Sequence, residues 1–193
     1  LKPEYPYDVS KACGDLIAQT YCSKKFNFPI IITRFANIYG PGQLNFSALI
    51  PDCIRSALGQ STFVPRTNGE HHRDFLFIDD VVGLYVLLAK KLSNDKSLNG
   101  QIFNAGSNDP IRIKSLIMKI FELIMDQEAL TTFKKKIRFP NSKVHGEIIF
   151  QQMDFKKISE NFKWRPQTKI DEGLRLSIDW YKKFLKNQNE SSK

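Results

Sequence analysis

Acidic residues are in short supply: 20 Asp and Glu stand against 29 Lys and Arg, a formal net charge of +9 over 193 residues. Cysteine and histidine are scarcer, with three of each. Cys13, Cys22 and Cys53 are far from any metal-ligand spacing and odd in number, which excludes a disulfide framework and fits a reducing, cytoplasmic compartment. His71-His72 and His145 show no ligand spacing either, so no metal site is expected. Long apolar runs are missing: Phe75 to Ala89 is broken by Asp79-Asp80 and Gly83, which excludes a membrane span, and no signal peptide is visible. Also absent is the strand, glycine-rich turn and helix that would cradle a pyrophosphate. Gly40-Pro41-Gly42 follows a strand, but Pro41 and the lack of an amphipathic helix behind it rule it out. There is no internal repeat, and low complexity is confined to the polar tail Asn187 to Lys193.

What is present describes a globular chain, 41% hydrophobic and 12% aromatic. Its length buries a real core in one domain or slightly more. The basic excess includes Lys134-Lys135-Lys136, but no aromatic stacking platform is interleaved with it, so nucleic acid is not an expected partner. Periodicity predicts helices over Val9 to Lys24, Pro51 to Leu58, Val81 to Lys91, Lys114 to Met125, Phe155 to Phe162 and Ile170 to Lys186. Pro29 to Phe35 is a β-branched apolar run, expected as a strand buried on both faces of a parallel sheet and ending in a loop at Asn37 to Gly42. Thr62 to Pro65 and Arg73 to Ile78 predict a hairpin joined through Asn68-Gly69, with further strands at Gln101 to Ala105 and Ile137 to Phe139. Asp79-Asp80 predicts a helix cap rather than an acid pair, and Trp164 and Trp180 predict packing positions. Alternating strands and helices give an α/β class.

The chemistry begins at Pro6-Tyr7-Asp8-Val9-Ser10-Lys11. Residues i and i+4 share a helix face, so the Tyr7 hydroxyl and the Lys11 ammonium can serve one site. A free phenol ionises near pH ~10, and a cation held beside it favours the phenolate. Such a pair can take a proton from a carbinol while hydride leaves the same carbon, the requirement of a dehydrogenase. A surface tyrosine and lysine on a helix would share the spacing. The Pro-Tyr start, Ser10 and a strand opening into Asn37-Ile38-Tyr39-Gly40-Pro41 sharpen the dehydrogenase alternative.

With those residues the chain resembles the extended short-chain dehydrogenase/reductase family of NAD-dependent nucleotide-sugar epimerases and dehydratases. Within it, the CDP-glucose 4,6-dehydratases are most similar through Tyr7 to Cys13 with Asp15-Leu16-Ile17, Thr33 to Gly40, Leu44-Asn45-Phe46 and Leu49-Ile50-Pro51-Asp52. The resemblance covers essentially the whole chain. It implies the C-terminal part of a doubly wound, Rossmann-like parallel sheet (1–43), then a smaller α/β nucleotide-sugar-binding domain (44–193), with elements around 73–105 returning to the main sheet. The chain is therefore expected to be the second half of a larger protein, inactive by itself.

The resemblance further implies NAD as cofactor, Tyr7 as base, Lys11 on the nicotinamide ribose and Ala36 close to the nicotinamide. Asn37 and Arg73 would contact the sugar-nucleotide diphosphate, and Arg66 would approach the nucleoside; Arg73 suits the role because guanidinium and phosphate pair bidentately. Asp74 is expected to be structural. Where relatives carry an arginine after a Gly-Glu pair, this chain reads His145-Gly146-Glu147-Ile148-Ile149, a departure that leaves the base- or phosphate-contacting role of that segment open. The implied reaction converts CDP-glucose to its 4-keto-6-deoxy form in deoxysugar and polysaccharide synthesis, with an additional acid and base from a segment preceding the tyrosine. A homodimer paired through the tyrosine helix is the implied partner. A 4-epimerase of the same family, or a non-catalytic nucleotide-sugar-binding remnant, uses the same residues.

Overall fold

The computed structural model describes residues 5–141 and 148–191. Helix α1 (Pro6–Tyr21) starts on a proline in its first turn, where a missing N–H costs nothing. The chain then returns as β1 (Ile32–Phe35) and, after Ala36, continues as β2 (Asn37–Tyr39). Helix α2 (Leu49–Ala57) follows, then β3 (His72–Arg73), β4 (Phe75–Phe77), α3 (Ile78–Asn94), β5 (Ile102–Ala105) and β6 (Ile111–Arg112). Helices α4 (Ile113–Ile124), α5 (Gln127–Lys136), α6 (Lys156–Phe162) and α7 (Ile170–Ser191) complete the chain.

The strands form three pairs among the described residues. β1 runs parallel to β5, β2 parallel to β4, and β3 antiparallel to β6. The long β1–β2 segment therefore changes partner midway. Ala36 N–H donates to Ala105 O at 3.0 Å, and the next amide, Asn37 N–H, donates to Asp74 O at 3.0 Å. A crevice opens where neighbouring strands part in this way. Two apolar clusters flank the fork. One packs Leu76, Val81, Leu84, Leu88, Phe103, Ala105 and Ile158 beneath β1 and β5. The other joins Tyr39, Phe77, α2, α4, Leu130 of α5 and α7.

Several expectations are corrected. Thr62 to Pro65 forms no strand, and β3 pairs with β6 rather than folding back on it. Gly69 does adopt a left-handed turn (φ +72), but its carbonyl accepts from Lys114 N at the head of α4, so the turn serves a helix start instead of a hairpin. Ile137 to Phe139 is not a strand: Ile137 ends α5, and Phe139 packs under the Lys114 ammonium. The loop expected at Asn37 is strand β2, and of β1 only Ile32 is buried. Helix α3 starts at Ile78, so neither Asp79 nor Asp80 caps it; Asp80 instead accepts from Gln167 N and Thr168 N, at 2.9 and 3.0 Å, fastening the approach to α7. Trp164 packs edge-on against Phe155, and Trp180 stacks on Phe184.

Candidate active site

A cleft of about 950 Å³ runs between α1 and the β1–β2 segment, and Tyr7, Lys11, Ala36, Asn37 and Gln151 all line it. An ion pair links helix α1 to the strands: Arg34 of β1 donates through Nε and Nη2 to Asp15 Oδ2, at 2.8 and 2.5 Å. Its first turn presents Tyr7 with 69% of its surface exposed. Lys11, one turn on, places its ammonium over the Tyr7 ring, 5.2 Å from the centroid. That is a cation–π geometry, and it sets a positive charge beside the phenol. Ser10, in the same motif, spends its hydroxyl on the Tyr7 carbonyl at 2.6 Å and so braces the turn that carries the pair.

At the fork, Ala36 is buried, its small side chain leaving the cleft wall low, while Asn37 is exposed. The Asn37 amide donates to Asp74 O at 2.9 Å and to Gln151 Oε1 at 2.8 Å. A second tyrosine nearby, Tyr39, has a different character. It is buried, its hydroxyl lies 3.5 Å from Ile170 O, and burial followed by the charges of Asp80, Asp171 and Glu172 pushes its ionisation far above the ordinary phenol range. Of these two tyrosines only Tyr7 is exposed and lines the cleft.

The remaining expected residues lie elsewhere. Arg66 is exposed and lines a separate hollow of about 160 Å³ with Asp52, Pro65 and His71. Arg73 sits on β3, half-buried, and its Nη1 donates to His72 O at 2.9 Å and to Ile148 O. It is outside the set of residues lining the Tyr7 cleft. His145, Gly146 and Glu147 fall outside the described residues. Asp74 is a fully buried hub, its carboxylate accepting from Ser107 N, Ser107 Oγ, Asn108 N and Met153 N. Those bonds draw the loop after β5 and the strand-like segment 150–153 onto the fork. No group of His, Cys, Asp and Glu among the described residues could hold a metal ion, and no described helix is long and apolar enough to cross a membrane.

Parallel strands that part at a fork, with helices packed on them, are a Rossmann-type α/β architecture. The profile of the NAD dependent epimerase/dehydratase family matches residues 1–106, and the chain belongs to that family. It is 26% identical over 192 residues to a mouse (Mus musculus) dTDP-D-glucose 4,6-dehydratase, covering 100% of this chain and 52% of that protein. The dTDP-glucose 4,6-dehydratase of Escherichia coli is 28% identical over 185 residues, covering 93% of this chain and 49% of the relative. Among solved structures, dTDP-glucose 4,6-dehydratase of Bacillus anthracis in complex with NAD superposes with a TM-score of 0.76 at 30% identity, over 95% of this chain and 54% of that one. The UDP-glucuronic acid 4-epimerase of Bacillus cereus, with UDP-glucuronic acid and NAD, gives 0.74 at 26%, again over 95% and 54%. The chain spans about half the length of the curated relatives it matches.

Gln151 also lines the Tyr7 cleft, and sequence reasoning missed it. It lies 114 positions from Asn37 in a stretch without a motif, so no local signal marks it.

Proposed function

We propose that this chain carries the proton-handling tyrosine and the nucleotide-sugar contacts of an NAD-dependent sugar-nucleotide 4,6-dehydratase. The convergence of Tyr7 and Lys11 on the cleft that Ala36 and Asn37 also line carries this reading. Tyr7 takes the proton of the sugar C4 hydroxyl, and Lys11 supplies the charge that steadies the resulting phenolate and holds the nicotinamide ribose. Bound NAD supplies the hydride acceptor at C4 and the hydride donor at C6. Ala36 fits a nicotinamide ring because a larger side chain at the fork would intrude on the cleft. A ketone at C4 acidifies C5–H, so water leaves across C5–C6. Arg73 and Arg66 serve the diphosphate and nucleoside ends, as the family resemblance implies. Residues 1–43 belong to the dinucleotide-binding domain and 44–193 chiefly to the nucleotide-sugar domain, with the 73–105 region crossing back; the β1–β5 and β2–β4 pairings support that division.

CDP-glucose is the first substrate to test, on the motif resemblance, with dTDP-glucose and UDP-glucose beside it because relatives are named for them. With a catalytically complete enzyme containing this chain and NAD, the product is expected to lose one water in mass. A product of unchanged mass would favour the 4-epimerase reading, which the similarity to the B. cereus epimerase supports. The 193 residues alone are expected to show neither tight NAD binding nor turnover, having no glycine-rich turn in their sequence; turnover by them would contradict that. Pairing of two copies through α1 is supported by its exposed apolar side, and sedimentation of the chain against Leu16→Lys tests it.

A further inference from the structure

We infer that Arg34 is a positioning residue for the tyrosine-lysine pair: by holding the Asp15 carboxylate, it keeps the Lys11 ammonium on Tyr7. This rests on the reading of Tyr7 as the base and adds to it the group that decides where the neighbouring charge sits. Tyr7, Lys11 and Asp15 recur every four residues along α1, so they stand on one side of the helix, and all three line the cleft. Lys11 therefore has two neighbours one turn away. One is the Tyr7 ring, whose centroid lies 5.2 Å from its ammonium. The other is a carboxylate.

Both oxygens of that carboxylate are already taken. Asp15 Oδ2 accepts from Arg34 Nε and Nη2 at 2.8 and 2.5 Å, and Oδ1 accepts from Gln19 Nε2 at 3.1 Å. The Asp15 side chain is only 12% exposed, so without Arg34 a poorly hydrated charge would be left with one neutral donor. Lys11 is the other cation lining the cleft, and its flexible stem lets it turn to whichever neighbour draws it harder. Asp8, three residues before Lys11, is the second carboxylate on the cleft, but it is exposed and well hydrated and draws less. Arg34 settles this competition from β1, spending two donors of its planar fork on one oxygen. The charge on the strand thus serves the chemistry on the helix without touching it.

The test reads by NMR the upfield displacement that the Tyr7 ring imposes on the Lys11 ε-methylene protons, taken against Tyr7→Leu of the same chain. Arg34→Gln is expected to reduce it about threefold, the size of one weak charge contact, and Arg34→Gln with Asp15→Asn to restore it to within about 1.5-fold. In a catalytically complete enzyme containing this chain, single-turnover reduction of NAD is expected to follow the same order. An ion pair that merely held α1 in place gives a different pattern, because the double variant lacks the clamp as fully as the single one. A double variant as impaired as Arg34→Gln, or an Arg34→Gln that changes neither readout, would overturn the assignment. Should Arg34→Gln fail to fold, Asp15→Asn alone removes the competing charge and is expected to leave both readouts within about 1.5-fold; a larger loss there overturns the inference equally. Failure of the unsubstituted enzyme to reduce NAD would instead overturn the reading of Tyr7 as base, while the proton displacement still decides where Lys11 sits.

Discussion

Helices α1 and α4 each carry an apolar stripe, the stronger on α4, and are packed very differently. In α1 the stripe Val9, Cys13, Leu16, Ile17 and Thr20 contains no buried residue, and Leu16 and Ile17 each keep 57% of their surface exposed. In α4 the stripe Ile113, Leu116, Ile117, Ile120 and Phe121 is buried throughout, against α2, α5 and α7. The 3.6-residue period tells which side of a helix is apolar; it does not tell whether the described residues supply the cover. The difference also divides the chemistry. Tyr7 and Lys11 stand on the thinly packed helix, anchored to β1 by the Asp15–Arg34 pair, whereas Asn37 and Gln151 stand on the fork that Asp74 ties to the well-packed lobe.

The sharpest way to break this contrast is to truncate one stripe residue on each side. Phe121 stacks on Phe133 at 3.7 Å, and Phe121→Ala is expected to cost about 4 kcal/mol in urea unfolding. Leu16→Ala should cost less than about 0.5 kcal/mol. Next comes the joint between the regions: Asp74→Ala leaves the amides of Ser107, Asn108 and Met153 without their acceptor, and is expected to cost about 3 kcal/mol and to loosen the segment carrying Gln151 in hydrogen exchange. Two glycines give smaller effects of opposite sign. A Cβ on Gly173 in α7 would meet the Tyr39 hydroxyl at 2.2 Å and Phe77 at 2.8 Å, so Gly173→Ala should lose about 2 kcal/mol. A Cβ on Gly14 in α1 would meet nothing within 4 Å, so Gly14→Ala should gain about 0.5–1 kcal/mol from helix propensity. Equal costs at Phe121 and Leu16, or a loss of stability at Gly14, would show that α1 is as tightly covered as the well-packed lobe.

Where one segment's own pattern decides its structure, the sequence was legible. The apolar periods of α1, α3, α4, α6 and α7, the β-branched run of β1 and the short strand β5 all read correctly to within a few residues. Helix α5 did not: it is short, only Leu130 is buried and its last turn is three lysines, although Asp126, whose side chain caps Ala129 N at 2.8 Å, marks its start. Strand pairing failed for a related reason. Two-residue strands such as β3 and β6 are defined by their partners, and the Asn68-Gly69 turn favoured the nearest neighbour over the true one. Tyr7, Lys11, Ala36 and Asn37, which line one cleft, were marked by contiguous motifs. Gln151 was not, because only the Asp74 hub brings its segment to the fork.

The central claim is that the Tyr7 phenol, flanked by the Lys11 ammonium, is the base of a carbinol oxidation. It is tested most directly by Tyr7→Phe in a catalytically complete enzyme containing this chain, measured by single-turnover reduction of NAD with the nucleotide sugar and, in parallel, by nucleotide-sugar affinity. The expected result is a loss of about a hundredfold or more in the rate, with affinity unchanged within about twofold. A rate preserved within about threefold, with the sugar still bound, would contradict it.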